Sequence, residues 1–538
     1  MTKKNRTTQE IRATSRLIFT EIVAFGKKSY RKLAERVGRS KSSVHRHEQA
    51  RKQRDRHPES SLWETEAGAA WLRVLFFATL YTFGLESHVG ADKLGRFFKR
   101  LRLDTHLGVS ATVLRKQMNQ METLLPLFQQ QCEAEAASTW RPAVVAADET
   151  FQGDKLILVL LELHSNYLIL EDLAEDRQYE TWFEKAAPRL QALGLKVRHA
   201  ASDRAKALVK LATTGFDCAP GADLFHAQYD VCRWLGAKLG RQQAQAEKQR
   251  KAAETALQES PAKGNVPCLV ALVEAERTHE AVKATGADYH AQLAGIAEDV
   301  HPFTLESQPK TAASVVSDLE NRAQAFESIA KLAKIADSRQ TLQKFRNQFD
   351  ALAIHITFWW QWVAETLTGQ AVDPALQDWL THSLLPVVYW YQQSQRTQNK
   401  RPREQYRQAW KHASHALQAH EFTWSLPESE LQRWLEWAEW IAGKFYRSSS
   451  AVEGRNGYLS QMYHNGRGLT EPRLRALTVI HNYGVRRLDG TTAAMRLFDR
   501  DFPDLFSWLV DQMGELPLPR QGKKRAVHTP LVLLGVPA

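Results

Sequence analysis

The chain has 538 residues, 72 lysines and arginines against 60 acidic residues, a formal net charge of +12, and an apolar fraction of 43%. That length predicts three or four folded units, and the composition is that of a globular, soluble chain. A mean hydropathy of −0.44 without an apolar run of about 18 residues argues against a membrane span.

The opening MTKKNRTTQEIRATSR is basic but carries no signal-peptide apolar stretch, so the cytoplasm is the expected location. Cys132, Cys218, Cys232 and Cys268 lack CxxC spacing, which suits reduced thiols and disfavours a zinc or disulfide framework. The basic excess favours a polyanionic partner, nucleic acid first, although many proteins are mildly basic for no specific reason.

In chain order, residues 1–60 read as a helix-turn-helix. Leu33, Ala34 and Val37 form an apolar stripe, Gly38 supplies the turn, and Ser40 caps a second helix through Val44. That helix presents Lys41, Ser42, Ser43, His45 and Arg46 to a groove, and Arg51, Lys52, Arg54 and Arg56 follow as phosphate contacts. A basic surface helix is the plainer reading.

Residues 61–140 read as a second helical unit. Ser110 caps a helix carrying Arg115 and Lys116, which makes the unit either a second DNA-binding module or a scaffold.

At Pro142 the texture turns strand-like, and residues 141–230 read as an α/β core. RPAVVAADETF, KLILVLLELHS and NYLILEDLAEDR predict three sequential strands, with HSN as a turn. QYETWFEKAAPRLQAL predicts a crossover helix, GLKVRHAASDRAKAL a strand then a helix, and DLFHAQYDV a fifth strand starting at Asp223. Residues 231–445 are helical almost throughout, with a long hairpin or coiled coil pairing 241–259 with 267–299. Their many tryptophans are either core or base-stacking surfaces. Residues 446–505 return to short helices, and 506–538 form a basic tail.

Chemistry is concentrated in three carboxylates. Asp148 and Asp203 stand at predicted strand ends, where side chains distant in sequence converge. Two such carboxylates repel each other, and divalent cations are the usual remedy. A two-metal phosphoryl-transfer site has this form and needs a third carboxylate. Glu453 in RSSSAVEGRNGYLSQM is the choice: Ser448 to Ser450 cap a helix, Asn456 shares its face, and Arg447, Arg455 and Arg467 offer phosphate contacts. A salt-bridged glutamate at a helix start is the plainer alternative.

The succession of ADET, a strand hairpin, SDRAKAL, an FH-containing segment, a long helical stretch and SSSAVEGRNGYLSQM resembles the DDE transposases of bacterial insertion sequences, over about residues 140–500. That resemblance implies an RNase H-like catalytic fold shared with retroviral integrases, interrupted by a large all-α insertion and preceded by helix-turn-helix modules. It carries over Asp148, Asp203 and Glu453 as catalytic and metal-binding residues. Glu149, His226, Arg204, Lys206, Arg455 and Asn456 become neighbours of the site, with His226 equally readable as a structural histidine. Strand alternation lets only one of Asp148 and Glu149 point inward, and Asp148 is preferred. Asp154, Asp172, Asp176 and Asp223 read as turn or surface residues.

The implied reaction is hydrolysis at an element end followed by strand transfer to target DNA. Two Mg²⁺ (or Mn²⁺) ions are the implied cofactors, double-stranded DNA and a second copy of the chain the implied partners, with no membrane involved. A non-catalytic transposase-derived regulator and a metal-dependent nuclease without strand transfer remain as alternatives.

Overall fold

A computed structural model describes residues 8–26, 29–54, 57–136, 140–260, 266–335, 339–466 and 468–519. The chain is predominantly helical with a mixed five-stranded sheet. It divides into two compact units, residues 1–132, 459–495 and 500–538 in one and 133–458 and 496–499 in the other.

In the first unit, α1 (Thr8–Phe25), α2 (Tyr30–Val37) and α3 (Lys41–Arg54) pack around Ile18, Leu33, Ala34, Val37 and Val44. Gly38 ends α2 at φ +61°, a left-handed conformation that glycine adopts without strain. Ser40 Oγ then accepts from Ser43 N at 3.2 Å and starts α3. Lys41, Ser42, His45, Arg46 and Lys52 are exposed. Ser43, expected to face a partner, is buried beside Val44, because these two consecutive positions lie on the inner edge of α3. Arg51 lies half-buried over the Phe19 ring at 5.4 Å. The Arg54 side chain, Arg56, Arg467 and the chain beyond Pro519 fall outside the described residues.

The same unit contains Glu66–Glu86, a helical stretch long and apolar enough by composition to cross a membrane, contrary to the reading of the sequence. Half of its apolar window is buried inside the unit, the pattern of a core helix. Arg473 donates to Glu122 Oε1 at 2.6 Å in a buried ion pair and to Gly84 O at 2.8 Å. Arg115 and Lys116 are exposed, and Arg115 pairs with Asp92 at 3.2 Å.

The second unit holds the sheet: β1 (Arg141–Gln152), β2 (Lys155–Glu162), β3 (Tyr167–Ala174), β4 (Leu195–Ser202) and β5 (Pro220–Ala222), in the order β3-β2-β1-β4-β5. The first three form an antiparallel meander, and β4 and β5 join β1 in parallel. A parallel neighbour requires a crossover, supplied by α4 (Tyr179–Ala192). The unbroken apolar run of β2 is explained by its place between β1 and β3, buried on both faces.

The fifth strand is shorter and earlier than expected. Residues 224–231 form instead a helix, α5 (Leu224–Val231), because the Asp223 side chain caps it by accepting from His226 N at 3.2 Å. Gly221 on β5 lets the insertion approach: a Cβ there would lie 2.5 Å from His355 and 2.8 Å from His199.

The stretch from 231 to 445 is helical, apart from a single bridge between Phe303 and Pro309 among the described residues. Ala237–Gln258 and Val266–Asp299 pack as a hairpin, with His279 Nε2 at 3.2 Å from Glu247. Trp359, Trp379, Trp390 and Trp434 are fully buried, and Trp359 Nε1 donates to Ile441 O at 2.9 Å. These tryptophans are core, whereas Trp424 is 77% exposed. After the insertion the chain enters α6 (Ser450–Gly466).

Candidate active site

Register places the two aspartates. The parallel pairing of β1 with β4 ends at Ala146 opposite Ala201, and Asp148 and Asp203 each stand two residues beyond that pair. They occupy matching positions just past the end of the β1–β4 pairing; β4 stops at Ser202, whereas β1 runs on beside β2 to Gln152, so Asp148 lies within its strand and not at the strand end expected from sequence. Asp223 follows β5 at the same edge, its N–H donating to Ser202 O at 2.8 Å.

The adjacent acids on β1 divide by face. Asp148, Val159 and Glu171 form one row across three strands, and Glu149, Leu158 and Asp172 form the next. Strand alternation sends these rows to opposite sides. Glu149 accepts from Trp182 Nε1 of α4 at 3.4 Å and lies 3.5 Å from Arg177, and Asp172 pairs with Lys185 of α4 at 2.5 Å. On the other face Asn456 Nδ2 of α6 donates to Asp148 Oδ2 at 2.8 Å, and Arg455 grips Glu171 through both carboxylate oxygens at 2.7 and 2.6 Å.

Arg455 is therefore not a phosphate contact. Its guanidinium is buried and consumed by an equally buried carboxylate, which fixes α6 across the sheet. Arg447 is also spent internally, donating to Val300 O at 2.6 Å and to Ala297 O, and so ties the end of Val266–Asp299 to the approach to α6. Arg204 stays beside Asp203 at φ +67°, a left-handed conformation uncommon for a long side chain, and Lys206 is exposed.

Asp223 is the residue that the sequence reading misplaced. It is fully buried rather than at the surface, with Oδ1 accepting from Ser449 N at 2.7 Å and Oδ2 from His226 Nδ1 at 2.6 Å. With Leu224 N donating to Arg447 O at 3.0 Å, it staples the start of α6 to the edge of the sheet across more than 200 residues of sequence. An aspartate three residues before a histidine at a helix start was the available signal, overlooked once the segment was read as a strand.

His226 Nε2 reaches to 3.8 Å from Glu453 Oε1. The hydrogen bond to Asp223 outweighs desolvation and, with the nearby charges of Asp148 and Asp203, raises the imidazole to about 9, so it is cationic at neutral pH. Asp148 moves the other way from an ordinary aspartate: burial, reinforced by the charges of Glu453 and Asp203, pushes it up to about 7. Asp148 thus senses the charges of Glu453, His226 and Asp203, and His226 those of Asp148 and Asp203. Glu453 and Asp203 remain solvent-accessible, so the cluster opens to the exterior.

Carboxylate and amide oxygens are the donors that Mg²⁺ and Mn²⁺ prefer, and Asn456 Oδ1 is a buried acceptor without a hydrogen-bond partner. Among the described residues no three His, Cys, Asp or Glu side chains are grouped closely enough to hold an ion, so the fit lies in donor chemistry and charge.

The raised Asp148 has a thermodynamic consequence. A carboxyl with a higher pKa folded than unfolded holds its proton better when folded, so stability falls as pH rises from about 4 to about 7 and the penalty is complete above that. Asp148→Asn is expected to raise the melting temperature in EDTA at pH 8 by roughly 5 °C, with the gain gone below pH 4. Equal melting of the two proteins at pH 8 would contradict the buried, repelled carboxylate.

Residues 380–525 match a family of unknown function, DUF6399. That segment contains Glu453, Arg455 and Asn456 but neither Asp148 nor Asp203. No curated protein and no solved structure matches the chain.

Proposed function

We propose that this chain is a DNA transposase of the DDE type, hydrolysing the phosphodiester at an element end and transferring the freed 3′ end to target DNA. The observation that carries the reading is the placing of Asp148 and Asp203 at matched positions just past the β1–β4 pairing, with the α6 helix that bears Glu453 bonded to Asp148 through Asn456. A meander of three antiparallel strands, a crossover helix and a fourth strand parallel to the first is the arrangement expected of an RNase H-like core, and it supports that assignment here.

Asp148, Asp203 and Glu453 would hold Mg²⁺ or Mn²⁺, two ions in the reading proposed. When bound, such ions supply Lewis acidity at the scissile phosphate. The chain's own contribution is orientation and charge. Asn456 aims Asp148, and Asp223 holds His226 as a cation beside Glu453, where it offsets repulsion among the acids and offers an N–H to a phosphate oxygen. In the first unit, α2 and α3 with the left-handed Gly38 between them are read as a helix-turn-helix, with Lys41, Ser42, His45 and Arg46 facing DNA.

The test is a cleavage and joining assay with the full chain, Mg²⁺ and DNA carrying the ends of its element. Cutting and joining are expected. Binding without cutting would leave the non-catalytic regulator, and cutting without joining the nuclease.

A further inference from the structure

Of the four cysteines, Cys232 is the exposed one; Cys132 is buried, and Cys218 and Cys268 are partly covered. Cys232 follows directly on α5 and opens a wider, π-helical turn, Cys232–Gly236. Positions 232 and 236 share one face of that turn, and the face meets Tyr289 of the long helix Val266–Asp299. A Cβ on Gly236 would lie 2.5 Å from the Tyr289 hydroxyl, so glycine is what lets the phenol come in against the backbone. Tyr289 is 2% exposed, yet its hydroxyl makes no hydrogen bond of ordinary geometry among the described residues. Burial and the adjacent Cys232 sulfur raise it above an ordinary tyrosine, so it is a neutral O–H donor at neutral pH.

A buried donor without an acceptor is costly, and buried polar groups are normally paired. The reduced sulfur beside it is a weak acceptor. A sulfenic acid would place an oxygen where the phenol is left unsatisfied, and Cys232 is open to the small oxidant that forms one. Cys218 does not compete: burial and the charge of Asp217 push its thiol up to about 12, so the nucleophilic thiolate is scarce at neutral pH.

We propose that Cys232 is a reversible oxidation site for hydrogen peroxide, with the Tyr289 hydroxyl as the donor that holds the sulfenic acid. The Cys232 thiolate attacks one peroxide oxygen; the S–O bond forms as the O–O bond breaks, and the departing hydroxide takes up the proton released by the thiol and leaves as water. Sulfur is oxidised by two electrons and peroxide is reduced by two. The Tyr289 O–H then donates to the new oxygen and ties the turn after α5 to the helical hairpin. Two molecules of a small thiol reverse the step: the first displaces water to give a mixed disulfide, and the second releases the Cys232 thiol and departs in a disulfide with the first. The site is independent of the cleavage reading.

In the test, the full chain is treated with hydrogen peroxide and trapped with dimedone, and the label is located by peptide mass. Wild type is expected to take up one dimedone, at Cys232, and none when dithiothreitol precedes the trap. Cys232→Ser takes up none. Tyr289→Phe keeps the ring and removes only the donor; it still forms the sulfenic acid, but in excess peroxide converts it to sulfinic acid about fivefold faster than wild type. No label on wild type, or label on another cysteine in place of Cys232, overturns the oxidation site. Equal conversion in wild type and Tyr289→Phe overturns the part given to Tyr289.

Discussion

If the proposed function holds, Asp203→Asn is expected to lower Mg²⁺-dependent cleavage of an element end by about a thousandfold or more, while affinity for the same DNA stays within about twofold. Asp203 is the most discriminating of the three acids to test because its side chain is exposed, and the hydrogen bond that its Oδ1 accepts from Ala205 N at 2.8 Å can be kept by asparagine. Folding is therefore little disturbed, and what disappears is a negative charge positioned for a cation. Glu453→Gln should behave alike, since Glu453 faces His226 across 3.8 Å and is partly open to solvent. Cleavage retained by Asp203→Asn would remove that residue from the catalytic set.

Arg455→Met should be the most destabilising single substitution around the site, by about 3–5 kcal/mol. Both side chains of the Arg455 and Glu171 pair are almost wholly buried, at 5% and 0% exposure, so deleting the guanidinium strands a carboxylate without water or counter-charge. Arg455→Lys should recover little, because an ammonium cannot reproduce the two-pronged contact. Pairing Arg455→Met with Glu171→Leu should restore most of the loss, since a matched apolar pair removes the stranded charge. Chemical denaturation of the four proteins checks this order, and a wild-type midpoint for Arg455→Met would mean that the pair does not hold α6.

The first four strands and the crossover helix were legible because their signals are local. The apolar run of β2, the β-branched run of β1 and the helical spacing of residues 178–193 need no distant partner to be recognised. Residues 223–231 failed for a related reason: LFHAQYDV alternates enough to resemble a strand, and what makes it a helix is a cap by Asp223 whose other oxygen is engaged by Ser449. The basic residues of the site failed because charge type says nothing about burial. Arg455 and Arg447 looked like phosphate ligands, yet one is paired with Glu171 and the other is spent on main-chain carbonyls.

By itself the sequence determined the helical character of the chain, the position of its first four strands and the caps at Gly38 and Ser40. These follow from periodicity and backbone preference, which act over a few residues. Only the tertiary structure decided how Glu453 comes home across the 250 residues that separate it from Asp203. That return depends on buried polar contacts, Asp223 to Ser449, Arg447 to Val300 and Arg455 to Glu171, together with tryptophans such as Trp359 that pack the insertion. Buried charges must be satisfied by specific partners, and pairings over such separations leave no periodic trace in the chain.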